Sequence, residues 1–147
     1  MEELEITLNI CIANTFLMYF KAHSYHWNVE GSNFAEAHGF LGDMYEELYG
    51  AVDPMAEELR SLGDYYAPLS LAEIQEYGTI EEDTTKPEDF KAMLSNLQDA
   101  NNKIADSLNK LFDLSTSHKK QGLADFAAGR LDAHAKHGWM LLSYLKG

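Results

Sequence analysis

The sequence predicts an all-α protein in which four long helices form a bundle, with a short helix set into a long crossover between the second and third. Three observations lead there. Apolar residues recur at helical spacing along four long stretches, and no stretch keeps the alternating pattern of a strand. The connector APLSLAEIQEYGTIEEDTTK, residues 67 to 86, is too long for a tight hairpin and suits a bundle with one long crossover. At 147 residues the chain is long enough for one hydrophobic core, so residues 1–147 are expected to form a single domain.

The first helix is expected over Glu2–Val29. Leu4, Ile6, Leu8, Ile10, Ile12, Phe16, Leu17, Tyr19 and Phe20 give it apolar side chains on nearly every face, so its own bundle and another subunit should both cover it. The second is expected over Asn33–Leu62. A heptad pattern gives it two apolar columns, His38, Tyr45, Val52 and Leu59 in one and Phe34, Leu41, Leu48, Met55 and Leu62 in the other. Ser70 followed by Glu73 is a capping-box pair and Gly78 a stop, which predicts the short helix over residues 71–77.

The third helix is expected to begin near Pro87, with Glu88 and Asp89 in its first turn where the helix dipole favours acids, and to bury residues between Phe90 and Phe112. The fourth is expected from about Ser117 to Leu145, with Leu123, Phe126, Leu131, Leu141, Leu142 and Leu145 turned inward. Gly122, Gly129 and Gly138 within it each cost roughly 1 kcal/mol against Ala, and close helix approach is the expected compensation.

Charge narrows the functional classes. The formal net charge is −13, and residues 1 to 85 hold only Lys21 and Arg60 as basic side chains. Nucleic-acid binding draws most of its affinity from Lys and Arg on phosphates, so DNA binding is expected to be weak or absent. A surplus of carboxylates concentrates cations near the surface, or simply keeps the chain in solution. The single cysteine, Cys11, excludes an internal disulfide and fits a reducing compartment. The opening MEELEI is acidic where a secretory leader is basic. The apolar run from Ile6 to Phe20 is too short, and too interrupted by Asn9, Asn14 and Thr15, to span a bilayer. A cytoplasmic location without a membrane partner is expected.

Two pairs of side chains carry the candidate chemistry. His26 and His38 lie twelve positions apart in HWNVEGSNFAEAH, one on each side of a Gly-Ser-Asn turn that would bring them together. Taken singly, each fits a core histidine, a base or a metal ligand. Asp53 and Glu57 are four apart and share a helix face. Taken singly, Glu57 is a solvated carboxylate, and Asp53 before Pro54 is a natural cap for a helix restarted after a kink near Gly50. Together, two imidazoles and two carboxylates suit Fe(II), Mn(II) or Zn(II).

One chain cannot close such a site. His38 and Asp53 are fifteen residues apart on one helix, roughly 22 Å at about 1.5 Å rise per residue, whereas metal–ligand bonds are about 2 Å long. Asp53 and Glu57 also fall outside the apolar columns and point outward. If both pairs serve one ion, the imidazoles come from one subunit and the carboxylates from another, across a two-fold interface with two sites per dimer.

HWNVEGSNFAEAH, followed by Asp53, Met55, Ala56, Glu57 and the helix end Leu62-Gly63, resembles the Dps proteins, the mini-ferritins that protect DNA during starvation. The ending RLDAHAKHGWMLLSYL resembles the last helix of the same family, and the resemblance covers essentially the whole chain. It implies a ferritin-like four-helix bundle and a hollow cage of twelve subunits. It also implies ferroxidase activity: Fe(II) bound between two subunits, oxidised preferentially by hydrogen peroxide and stored as ferric mineral, with Zn or Mn as substitutes. By position, His26 and His38 match the family's ligands from one subunit, and Asp53 and Glu57 those from its partner. Trp27 matches an aromatic near the iron, and His23 is read as a neighbour supporting the ligands. Asp113 and Asp125 are candidates for acids lining the cavity or its pores.

Pro54 departs from the family pattern, as does the lack of a Lys-rich tail. No Glu-x-x-His occurs, which sets the chain apart from ferritin-like proteins whose di-iron site lies within one bundle. His134 and His137 are expected as partly exposed polar positions. The alternative to a ferroxidase is a structural cage or a DNA-associated protein without that activity.

Overall fold

Five helices and no strand make up the computed structural model, which describes residues 1–147: α1 (Glu2–Asn28), α2 (Phe34–Leu62), α3 (Leu71–Tyr77), α4 (Phe90–Ser117) and α5 (Gln121–Leu145). The short crossover helix and the four long ones are where the sequence predicts them, to within a few residues. α1 packs against α2, α3 and α4, and α4 packs against α5. Three neighbours within the chain explain why α1 is apolar most of the way round. Leu4, Leu8, Cys11, Met18, Ala22 and Tyr25 are all buried, while Ile6, Phe20 and Trp27 stay exposed. No helix is long and apolar enough to cross a membrane.

In α2 the buried seam is Ala37, Leu41, Met44, Leu48, Ala51, Met55 and Leu59. One expected column is in place through Leu41, Leu48 and Met55, although Phe34 at its head is exposed. Of the other column only Leu59 enters the core. His38, Tyr45 and Val52 are only half-buried, because the seam runs one position round the helix through Ala37, Met44 and Ala51. No restart occurs at Gly50: α2 continues unbroken through Pro54. Pro54 has no N–H for the Gly50 carbonyl, but both residues are exposed and water can serve that acceptor.

Side chains of α1 pin the crossover. Asn14 Oδ1 accepts from the Thr79 backbone N–H at 2.8 Å and Asn14 Nδ2 donates to Thr79 Oγ1 at 3.0 Å. Lys21 pairs with Asp83 at 3.2 Å, and the Tyr25 hydroxyl donates to the same carboxylate at 2.7 Å. Gly78 lies so close to α1 that a β-carbon there would collide with Leu17 Cδ1. The Ser70 hydroxyl accepts from Glu73 N–H at 3.1 Å, as the capping pattern predicts, while Glu73 reaches back to Leu69 N–H at 2.8 Å.

Both later helix starts differ from expectation. α4 begins at Phe90 because Asp89 is its cap, accepting from Ala92 N–H at 2.8 Å, so Pro87 and Glu88 lie outside the helix. α4 also runs on to Ser117, and α5 begins only at Gln121. Between them Lys119 adopts a left-handed conformation, with φ 59°. Lys119 N–H donates to Thr116 O at 3.0 Å and Lys120 N–H to Ser115 O at 2.8 Å. This doubly bonded C-terminal turn forces a sharp reversal where the sequence suggested one continuous helix start. Among the three α5 glycines only Gly138 meets a neighbour, the Asn101 side-chain amide of α4 at 3.2 Å from a notional β-carbon. Leu142, expected inward, is exposed.

Candidate metal centre

The turn after α1 brings the two histidines together. Val29 N–H still bonds to Tyr25 O at 2.9 Å, Gly31 takes φ 122°, and Phe34 N–H returns to Gly31 O at 3.1 Å. The positive φ suits glycine alone among common residues. His26 in the last turn of α1 then stacks on His38 in the first turns of α2, with ring centroids 3.6 Å apart and planes 18° from parallel. Phe34 covers the His38 ring, centroid to centroid 5.0 Å.

The pair holds itself. His26 Nδ1 lies 2.7 Å from the His38 carbonyl, and His38 Nδ1 lies 2.7 Å from the His26 carbonyl. A carbonyl oxygen only accepts, so both Nδ1 atoms carry hydrogen and the neutral rings keep their lone pairs on Nε2. Metal-binding imidazoles are oriented in this way, with the remote N–H fixed on a carbonyl or carboxylate. Gly42 makes room for the arrangement: a β-carbon there would stand 3.1 Å from His26 Cε1 and 3.3 Å from Nδ1.

Around the pair is an aromatic shell. His23 stacks on Tyr45 at 3.7 Å and lies 4.2 Å from the Trp27 ring, and its Nδ1 is 3.0 Å from the Tyr19 hydroxyl. Burial, and then the neighbouring His26, push His23 below the ordinary imidazole value.

Asp53 and Glu57 are exposed on α2, and none of the four ion pairs in the chain uses them. The chain brings His26 and His38 together and leaves the carboxylates apart from them. No group of three or more His, Cys, Asp or Glu side chains is close enough to hold an ion within one chain. The donor chemistry nonetheless fits a cation such as Fe(II): two oriented imidazole lone pairs here, two free carboxylates there.

A second polar cluster escaped sequence reasoning. His134 and His137, expected to be partly exposed, are buried between α2, α4 and α5. Glu47 on α2 takes both guanidinium nitrogens of Arg130, one of them at 3.0 Å, and accepts from His137 Nε2 at 2.7 Å. Arg130 also lies 3.1 Å from His134 Nε2, and the other His134 nitrogen meets Asn101 Oδ1 at 2.8 Å. Burial alone would raise the Glu47 carboxyl, but the His137 and Arg130 hydrogen bonds and the Arg130 charge outweigh it and hold Glu47 well below the usual carboxylate range. Burial, then the Arg130 charge, drives His134 down to about 3. The only sequence signal was three potential cations one helical turn apart, Arg130, His134 and His137, on a largely apolar helix.

A model of the ferritin-like domain matches residues 7–147. A DNA protection during starvation protein of Brevibacillus brevis is 30% identical over 96% of this chain and 93% of its own length. The chain belongs to the Dps family. A low temperature-induced protein of Nostoc sp. is 31% identical over 95% of this chain and 78% of its own length. The crystal structure of a Dps protein from Bacillus brevis superposes with a TM-score of 0.91 at 29% identity, over 98% of this chain and 95% of that one. The ferritin-like fold expected from the sequence is therefore the fold found. Dps membership implies iron storage and protection against oxidative damage.

Proposed function

We propose that this Dps chain is a ferroxidase and iron store that oxidises Fe(II), preferentially with hydrogen peroxide, and retains the ferric product inside a cage of twelve subunits. The site combines His26 and His38 of one subunit with Asp53 of the partner subunit and Glu57 of the partner subunit. The observation that carries this reading is the mutual hold of His26 and His38, each Nδ1–H on the other's carbonyl at 2.7 Å, which aims two Nε2 lone pairs for a ligand that the chain does not itself supply. Exposed, unpaired carboxylates on the same chain supply the complementary half to a second copy, as a two-fold arrangement requires.

The carboxylates favour the ferric product through their charge, and the imidazoles complete a donor set that leaves coordination positions open. Two Fe(II) give two electrons to one hydrogen peroxide, which takes up two protons and becomes two waters. Zn(II) and Mn(II) suit the same donors and act as competitors. The net charge of −13 favours cation uptake over DNA contact, so protection is chemical, by removal of iron and peroxide in the cytoplasm.

The test is anaerobic loading with Fe(II), then a stoichiometric pulse of hydrogen peroxide, with ferric absorbance and particle size followed beside a His26→Ala/Asp53→Ala variant. Fast oxidation with iron kept soluble in a large particle, lost in the variant, is expected. Oxidation no faster than in buffer, or unchanged in the variant, would leave a structural shell without this chemistry.

A further inference from the structure

Two pairs of side chains face each other across the gap between α2 and α5. The Tyr144 hydroxyl donates to Glu36 at 2.8 Å and its ring meets Phe40 at 4.7 Å, while His137 donates to Glu47 at 2.7 Å. Later positions on α2 thus meet earlier positions on α5, so the two helices run antiparallel. In that register Met44, one turn before Glu47, falls at the level of Met140, one turn after His137. Both methionines line a cavity of about 250 Å³ together with His137 and Phe40, and so do the exposed Asp43 and Lys136, of opposite charge. Met44 is buried and Met140 half-buried, which leaves an ion a way in.

Glu47 fixes how His137 can bind. A carboxylate accepts, so the proton of the neutral ring sits on Nε2 and the lone pair on Nδ1. Nδ1 is buried and has no hydrogen-bond partner, although buried polar atoms are nearly always paired. An imidazole with one N–H held by a carboxylate and its other nitrogen free is set as a metal ligand is. Charge then selects the ion. Arg130 already neutralises Glu47 within the chain, so a divalent cation would bring uncompensated charge beside a buried guanidinium. Two thioethers and one imidazole are uncharged, polarisable donors, which suit a soft monovalent ion.

We propose that Met44 Sδ, Met140 Sδ and His137 Nδ1 bind one Cu(I) per chain between α2 and α5. The site uses neither imidazole of the α1–α2 pair and neither Asp53 nor Glu57, so it stands or falls apart from the iron chemistry above. Thioether donors favour Cu(I) over harder ions such as Mn(II) and Mg(II), whose preferred ligands are carboxylate and water. Glu47 is a positioning residue here: it holds the His137 ring by Nε2–H and leaves Nδ1 to the metal. The chain thereby holds a soft metal between two of its own helices, without help from a second subunit.

The test is an anaerobic titration of the full-length protein with Cu(I) against the chromophoric chelator bicinchoninate, followed by X-ray absorption at the copper edge. One Cu(I) per chain with both sulfur and nitrogen neighbours is expected. Met44→Leu/Met140→Leu, which keeps volume and apolar character, should lose the sulfur signal and the competition with the chelator. Each single leucine variant should lose one of the two sulfur neighbours, so the result does not hang on the folding of the double variant. His137→Gln should remove the nitrogen signal. Cys11 is the other sulfur in the chain able to take Cu(I), and it is buried in the core; Cys11→Ala should bind as the wild type does. Equal affinity in the double leucine variant, or loss of copper in Cys11→Ala or His26→Ala, overturns the site. So does a wild-type chain that takes no Cu(I) from the chelator.

Discussion

Gly42 on α2 lies directly against the imidazole of His26 on α1, so close that a β-carbon would stand 3.1 Å from Cε1. Gly42→Ala therefore sets two effects against each other. Helix propensity favours Ala by about 1 kcal/mol, while the methyl group displaces a ring whose aim depends on a single hydrogen bond. The expected outcome is a chain at least as stable to urea but about tenfold weaker in Co(II) binding. Unchanged affinity would mean that the ring orientation does not govern ligand strength.

The carboxylate half behaves differently. Asp53 and Glu57 are exposed and unpaired within the chain, so Asp53→Asn/Glu57→Gln should change stability by less than about 0.5 kcal/mol. Metal binding and peroxide-driven iron oxidation should be lost together. Calorimetry of unfolding beside metal titration separates the two quantities, and a large fall in melting temperature would point to a structural role instead.

Acid should loosen the bundle through the cluster in which Glu47, at the surface, holds the buried Arg130 and His137 beside His134. Both shifted groups are depressed in the folded chain, His134 from 6.5 to about 3 and Glu47 from 4.5 to a lower value. The unfolded chain therefore binds more protons, and their stabilising effect is complete above the unfolded values and lost as pH falls. His134 begins to cost stability below about pH 6.5 and Glu47 below about 4.5. Urea midpoints at pH 7.5, 5.5 and 4.0 should fall in that order, and His134→Gln should flatten the first part of the slope.

Lys119 holds a left-handed conformation at the α4–α5 reversal, with φ 59°. Glycine adopts this without the steric cost a β-carbon carries, so Lys119→Gly should add about 1 kcal/mol of stability. For a chain of this size that corresponds to a rise of about 3 °C in Tm. No rise would show that the two backbone bonds of the turn already compensate Lys119.

Local signals carried much of the fold. Ser70 and Glu73 announced α3 because a capping box is a short-range device, and the Gly-Ser-Asn turn announced the meeting of His26 and His38. The helix rise alone separated His38 from Asp53. What was not legible depends on partners distant in sequence. Glu47 and Arg130 look like ordinary surface charges until the fold sets α2 against α5, and His134 and His137 gain their burial from the same packing. The Lys119 turn was hidden because lysine gives no hint of a positive φ. His38, Tyr45 and Val52 fell on a good heptad column, yet the buried seam runs through the neighbouring Ala37, Met44 and Ala51.

The separation of the two ligand pairs on α2 has a genetic face. A chain without both imidazoles and a chain without both carboxylates are each inactive by themselves under the proposed assembly. Mixed in one dimer, the first supplies intact carboxylates and the second intact imidazoles, so one site is whole and the other has nothing. Two dead alleles should complement, to about half of wild-type oxidation per mixed dimer by the two-fold geometry. A defect at either pair would then be recessive whenever a second copy of the chain is made in the same cell.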